Sequence, residues 1–454
     1  MVEDYVHVRD TSIQRCRRIL TTLFLIGGPS ITLWTQFSGI LPAYPLLALE
    51  LALPVMMAGR APRLAAICYL VTAALSFLIS VSAVFHFPSP VGLFLQHKGG
   101  SGFPVLRTAM DYCGFVVLGI GVLAMAYPIA KLGRSVHWLT GSLVIGLMIT
   151  VEALGVAPLP ATTFGEVNLV GTTLAGNVAR IAGLKADTPR HYTDQVPLAD
   201  FVVGWAQKHP GRSVLFVVSE SMGLQIHPST GTDQTILPPE HTEFRVTSGS
   251  VPYSGATTAG ELRQLCQLRV PFYDLRPSDV RRCLPARLRE LGMNTVGLHG
   301  YSSHVFARES WWAAIGLTER VFLESLASEE HGRCGKTLSG LCDEDALRRA
   351  VERVKTPGTF VYFLTLTTHL PIDASVVEQP IKAKCARASL PARACWIIGM
   401  QNKLLDQIVV QAGGLRPAPL VIVVGDHSPP FIDSVERRVF SQELVPFWIF
   451  EPRV

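Results

Sequence analysis

Apolar residues are unevenly spread along this chain, and their partition constrains its folding more than any other feature. Up to about Pro160 the sequence is a series of apolar stretches parted by short polar turns; beyond it, charge, histidine and strand-like runs occur as in a globular protein. Roughly 20 apolar residues are needed to cross a bilayer. Five stretches approach or exceed that: Leu20 to Ile40, Tyr44 to Met57, Leu64 to Phe87, Thr108 to Ala130 and Trp138 to Val156. The second is short and carries Pro45, Pro54 and Glu50, so a tilted or broken span is expected there. A signal peptide would account for only one of them. The expected organisation is a transmembrane domain of five helices over 1–160, a linker over 161–205, and a globular domain over 206–454. Within the linker, Val167, Val170, Leu174, Val178 and Ile181 recur at helical spacing, which predicts an amphipathic juxtamembrane helix from Phe164 to Leu184.

Cations flanking the spans set the orientation, because cytoplasmic loops are enriched in Lys and Arg. Arg15, Arg17 and Arg18 precede the first span, Arg60 and Arg63 follow the second, and Lys131 and Arg134 follow the fourth. With five spans these segments share one side, so the N-terminus is cytoplasmic and the globular domain lies outside. Six cysteines, Cys266, Cys283, Cys334, Cys342, Cys385 and Cys395, fall in that outer domain. An oxidising compartment lets them pair, and joining sequence neighbours is the simplest connectivity. The net charge of +5 is modest, and the basic residues are not interleaved with aromatics as in a nucleic-acid groove. Attraction to anionic lipid is the more economical reading.

In the outer domain, short β-rich runs alternate with helical patterns, which predicts an α/β fold with a mainly parallel sheet covered by helices on both faces. The clearest runs are Ser213 to Val218, Thr295 to Leu298, Thr359 to Leu364 and Leu420 to Val424. They lead respectively to Glu220, His299, His369 and the pair Asp426 and His427. Ligands of open α/β sheets bind beyond the carboxyl ends of the strands, so these groups are expected at one edge. Glu220, Asp426 and His427 offer the mixed oxygen and nitrogen donors that suit Mn2+ or Zn2+. A small-residue turn from Ser254 to Gly260 opens into a helical pattern and places hydroxyls where helix N–H groups hold phosphate. Those hydroxyls are either helix caps or a nucleophile activated by a metal.

These motifs resemble, in order, the lipoteichoic acid synthase and phosphoglycerol transferase branch of the alkaline phosphatase and sulfatase superfamily. Ser213 to Ser221 is similar to its first strand and metal-binding Glu. Gly255-Ala256-Thr257 is similar to its nucleophile turn. Asn294 to Gly300, with Phe306 and Arg308, looks like its substrate segment. Thr368-His369-Leu370-Pro371 and Gly425-Asp426-His427 look like its later motifs. The resemblance implies that Glu220, Thr257, Asp426 and His427 surround one divalent metal with Thr257 as covalent nucleophile. His299, Arg308 and His369 would then hold phosphate or head-group oxygens. It also implies a bacterial inner-membrane enzyme that moves phosphoglycerol from phosphatidylglycerol to a periplasmic or surface glycan. The six-cysteine pattern is closer to phosphoethanolamine transferases, which use phosphatidylethanolamine. A sulfatase-type hydrolase is the further alternative, but the turn lacks the Cys-x-Pro-x-Arg context that sulfatases need.

Overall fold

The computed structural model describes residues 14–27, 47–84, 113–153, 159–162, 165–167, 170–171, 191–192, 198–226, 233–234, 243–270, 272–326, 333–335, 338–370, 372–431 and 434–453. Of these, side chains at 47–50, 76–84, 113–122, 148, 151–171 and 233–234 lie outside the description.

The apolar half is mainly helical where described: α1 over 14–27, α2 Leu49–Met57, α3 Pro62–Val84, α4 Cys113–Leu132 and α5 Trp138–Ala153. Among the described residues no helix is long and apolar enough to cross a membrane. The described faces are apolar both inward and outward. Leu25, Leu51, Val55, Tyr69 and Ile129 pack together inside, while Leu20, Phe24, Ile67, Val71, Leu123, Leu143 and Leu147 are exposed. Their basic connections meet at one end. A Cβ on Gly133 would lie 2.7 Å from Ala58 and 3.0 Å from Pro62, and the His137 N–H donates to Thr22 Oγ1 at 2.5 Å.

The expected juxtamembrane helix is not formed where its residues are described. Gly165–Val167 pairs antiparallel with Leu159–Thr162, and Val170–Gly171 pairs parallel with Leu47–Ala48. Glycine and β-branched residues are poor helix formers, and here strand pairing overrides the periodic spacing. The remainder of that segment, 172–184, is outside the described residues.

The C-terminal domain is built on seven strands: β1 Val214–Ser219, β2 Phe244–Pro252, β3 Asn294–His299, β4 Glu319–Val321, β5 Thr359–Leu364, β6 Leu420–Gly425 and β7 Leu444–Pro452. Their order is β4-β3-β5-β1-β6-β7-β2. The first five in that order are parallel, and β7 and β2 complete an antiparallel margin. The four expected strands are the four central ones, β3, β5, β1 and β6. Val214, Phe216 and Val218 point to one apolar layer and Leu215 and Val217 to the other, so both faces of β1 are buried.

Helices α6 Leu198–Lys208, α7 Thr257–Cys266, α8 Leu284–Glu290 and α9 Arg308–Ala314 cover the first face. Helices α10 Asp343–Val354 and α11 Ala392–Gly413 cover the second. Helix α6 falls mostly in the expected linker, yet Leu198, Val202 and Trp205 are in the sheet core. The globular domain therefore begins no later than residue 198. The bridges Cys266–Cys283, Cys334–Cys342 and Cys385–Cys395 join sequence neighbours as expected.

Candidate active site

Parallel strands end on the same edge, and registry decides which side chains meet there. Val218 of β1 pairs with Leu364 of β5 and Val424 of β6, so the residues just beyond them are neighbours. Glu220 follows β1, and Asp426 and His427 follow β6. All three are buried, and each offers a ligand atom within 4.8 Å of the others. Gly255, at φ 81°, makes the turn into α7 that brings Thr257 to the same point.

The residue capping α7 is Ala256, which makes no side-chain cap hydrogen bond. Thr257, the first helical residue, instead donates its hydroxyl to Glu220 Oε2 at 3.0 Å and sits 3.3 Å from His427 Nε2. This geometry separates Thr257 from an ordinary cap. Within the first turn of α7 the Ala259 and Gly260 N–H groups donate to the Ala256 carbonyl at 2.9 and 3.0 Å.

Three histidines share one orientation. Nδ1 of His427, His299 and His369 lies 2.8, 3.1 and 2.7 Å from the carbonyl oxygens of Ser428, Leu364 and Leu370. A carbonyl opposite Nδ1 requires the proton there, leaving Nε2 with its lone pair. Burial, then the charge of Arg308, holds the His299 imidazole well below its usual range, so it is neutral.

The carboxylates are arranged for a cation. Asp426 Oδ1 accepts the Ser221 N–H at 2.8 Å and the His427 N–H at 2.6 Å, while Oδ2 is buried 3.3 Å from His427 Nε2 with no hydrogen bond among the described residues. Burial and then the Glu220 charge raise the Asp426 carboxyl well above the carboxylate range. Burial also raises Glu220, but His369, His427 and the hydroxyls of Ser221 and Thr257 outweigh it and leave the group low. Two buried acids without a cation resist ionising together. The orphaned Oδ2, the His427 lone pair and the second acid fit a divalent metal.

Arg308 lies elsewhere in this geometry than a free phosphate ligand would. Its Nε and Nη2 donate to Glu261 Oε2 at 3.1 and 3.0 Å, which leaves Nη1 without a hydrogen bond among the described residues.

Comparison with solved structures returns several proteins of low identity and partial structural overlap. The lipoteichoic acid synthase LtaP from Listeria monocytogenes is 16% identical at a TM-score of 0.38, over 54% of this chain and 66% of that one. This chain thus spans just under two thirds of that relative. The phosphoglycerol transferase GacH from Streptococcus pyogenes, solved with sn-glycerol-1-phosphate, is 14% identical at 0.36, over 57% and 76%. The integral membrane lipooligosaccharide phosphoethanolamine transferase EptA from Neisseria meningitidis is 13% identical at 0.47, over 94% and 88%. No protein-family profile and no curated protein matches the sequence. The chain's own residues carry the chemistry.

Several residues that support the site were not anticipated. The Glu220 main chain is held by Thr365, which accepts its N–H at 2.8 Å, and by Thr368 and Gln401, which donate to its carbonyl at 2.6 and 3.2 Å. Ser221 takes a left-handed backbone at φ 55°, a conformation costing about 1–2 kcal/mol, to direct its N–H at Asp426. Arg263, fully buried on α7, donates to the carbonyls of Gly425 and Asp426 at 3.0 and 2.9 Å. The signal for these was residue type alone, since each contact spans 148 residues or more, apart from the Glu220 to Thr365 contact at 145.

Gly260 explains how closely α7 approaches the loop that carries Asp426. A Cβ there would meet Asp426 Cβ at 2.7 Å and Cα at 2.9 Å. Gly260→Ala favours the helix by roughly 1 kcal/mol yet must displace the loop. Titration of the variant with Mn2+ is expected to show affinity lowered by about tenfold or more, as for damaged support of a ligand. Unchanged affinity would mean that the loop position does not matter.

Asp343 anchors the segment that carries His369. Its carboxylate accepts the N–H groups of Leu366 and Thr367 at 2.7 and 2.8 Å. Burial raises it to about 6, against the Thr367 and Leu366 hydrogen bonds. A raised acid binds its proton in the folded state where the unfolded chain has lost it. Stability therefore increases as pH falls through about 6, by up to roughly 3 kcal/mol from this group. Melting of the metal-free protein at pH 5 and pH 7.5 should show the gain, and Asp343→Asn should remove a clear part of it. An identical pH slope in the variant would contradict the assignment.

Proposed function

We propose that this chain is a membrane-bound, metal-dependent phosphotransferase that moves a phospholipid head group to a glycan through a phosphoester on Thr257. The observation that carries this is the Thr257 hydroxyl, 3.0 Å from Glu220 Oε2 and 3.3 Å from His427 Nε2 at the meeting of three metal-ligand candidates.

Glu220, Asp426 and His427 would hold the cation, Mn2+ or Zn2+, and Thr257 Oγ1 lies beside them. When bound, such a cation supplies Lewis-acid charge that eases deprotonation of a hydroxyl and offsets negative charge on phosphoryl oxygens. Thr257 Oγ1 then forms a bond to phosphorus, the bond from phosphorus to the glyceryl oxygen breaks, and diacylglycerol leaves with a proton. The Thr257 proton departs from the side of Glu220 Oε2, where the hydroxyl already donates. In the second displacement an acceptor hydroxyl attacks the same phosphorus and Thr257 is restored as the alcohol. Neutral His299, with Nε2 as acceptor, suits a hydroxyl or ammonium hydrogen of the head group, and His369 lies beside it for head-group oxygens. Arg308 Nη1 suits a phosphoryl oxygen.

In this reading the helical half lies in the membrane, with five spans and the N-terminus cytoplasmic, although no helix among the described residues is by itself long and apolar enough to cross. Its helices are apolar on both described faces, which suits lipid on the outside. Exposed Arg18, Arg60 and Arg134 belong to the connections gathered at one end, as the charge rule for cytoplasmic loops requires. The domain from residue 198 onward would then be periplasmic, where the three bridges are stable.

Phosphoglycerol is the proposed head group. Full-length protein in detergent with Mn2+ should release diacylglycerol from phosphatidylglycerol faster than from phosphatidylethanolamine. Preference for phosphatidylethanolamine would replace the donor and keep the mechanism; release from neither lipid would overturn the function.

A further inference from the structure

We propose that Glu261 is a positioning residue that aims Arg308 at the phosphoryl group on Thr257. This rests on the reading of the site given above. Glu261 lies on α7 four residues after Thr257, so both project from one face of the helix. Its side chain is completely buried, and that of Arg308 is 3% exposed. Both oxygens are engaged: Oε2 by Nε and Nη2 of Arg308, and Oε1 by Trp312 Nε1 at 3.0 Å and Tyr362 OH at 3.1 Å. Donors from α9 and β5 therefore fix the carboxylate, and the carboxylate fixes the guanidinium.

Stability alone does not account for this arrangement. A buried ion pair carries a desolvation cost that its attraction often only offsets, and apolar groups of similar volume serve as well or better. What the pair does provide is direction. Two edge nitrogens of the planar fork are spent on one oxygen, leaving Nη1 to face away from Glu261. The backbone before Arg308 is constrained to match: Phe306 and Ala307 are left-handed at φ 57° and 51°, and the Phe306 ring centroid lies 5.1 Å from the guanidinium. Because Glu261 and Thr257 share a helix, one helical turn sets the separation between nucleophile and guanidinium. A cation carried on so flexible a side chain would otherwise lose reach and angle, and an arginine contact depends on both.

Binding of inorganic phosphate to Mn2+-loaded, full-length protein, followed by calorimetry, tests this without lipid turnover. Glu261→Gln should weaken phosphate binding by about tenfold, the size of one misdirected charge-assisted hydrogen bond. Mn2+ affinity should stay within about twofold, since the metal ligands are not touched. Arg308→Ala should weaken phosphate binding at least as much, and adding Glu261→Gln to Arg308→Ala should cause no further loss. A merely structural Glu261 would lower the melting temperature and leave phosphate affinity unchanged, or its loss would add in full to that of Arg308→Ala; either result overturns the proposal. If Glu261→Gln does not fold, Tyr362→Phe decides. It removes one donor from Oε1 and should weaken phosphate binding about twofold to fivefold with Arg308 present and not at all with Arg308→Ala. Wild-type affinity in Tyr362→Phe would then count against the proposal. Wild-type protein that binds phosphate yet releases no diacylglycerol would defeat the proposed function and leave this inference standing.

Discussion

Thr257→Ala is expected to leave a folded protein that binds Mn2+ and releases no diacylglycerol, a loss of about a thousandfold or more in the loading rate. The size follows from the kind of group removed. Thr257 makes no cap that the helix needs, since Ala256 occupies that position without a side-chain bond. The hydroxyl's partners are Glu220 and His427, and each keeps another when it is gone: Glu220 Oε1 accepts the Ser221 hydroxyl at 2.9 Å, and His427 Nδ1 lies 2.8 Å from the Ser428 carbonyl. Loss of stability should therefore be small, while the step that forms the phosphoester has no substitute atom. Thr258 is the neighbouring hydroxyl, but a residue further round the helix does not face Glu220 in the same way. Diacylglycerol release from Thr257→Ala at near the normal rate would remove Thr257 from the mechanism.

The second large effect is expected at Asp426, and it has opposite signs with and without metal. In the metal-free protein the Asp426 carboxyl is pushed well above its usual range by burial and then by the Glu220 charge. Such a group lowers stability at neutral pH, because the fold prefers it protonated, and the cost disappears as pH falls through its folded value. Asp426→Asn keeps an acceptor for the Ser221 and His427 N–H groups and removes the charge. Metal-free Asp426→Asn should thus melt higher than wild type at pH 7.5. Added Mn2+ should raise the wild-type melting temperature, because ligand binds only the folded state, and should do little for the variant. Transfer should fall by about a hundredfold or more with the loss of a ligand. Equal stabilisation of both proteins by Mn2+ would place the metal elsewhere.

Much of this site could be read from the chain because it sits at strand ends. Central parallel strands are buried on both faces, so β1, β5 and β6 are largely apolar runs, β3 keeps a shorter one from Val296 to Leu298, and each stops where a polar residue begins. That ending marked Glu220, His299, Asp426 and His427 without knowledge of the strand order. The marginal strands were harder. In β2 the run Phe244 to Pro252 contains Ser248, Gly249 and Ser250, which read as loop residues until pairing with β7 places Gly249 beside the ring of Phe447. Glu261 was illegible for a different reason. Its meaning lies in Arg308, Trp312 and Tyr362, which are 47, 51 and 101 residues away, and an acidic residue on a helix ordinarily faces water. The segment after Phe164 misled in the other direction, since spacing suggested a helix where Gly165–Val167 and Val170–Gly171 found strand partners.

The central claim, a covalent intermediate on Thr257, is tested most directly by trapping it. Full-length protein should be incubated with Mn2+ and phosphatidylglycerol in the absence of acceptor, quenched in acid, digested and examined by mass spectrometry. The peptide containing Thr257 should gain the mass of phosphoglycerol, with fragment ions assigning it to that residue, and the gain should vanish in Thr257→Ala. Diacylglycerol release with no modified peptide, or a head group mapped to Thr258 or any other residue, would contradict the account.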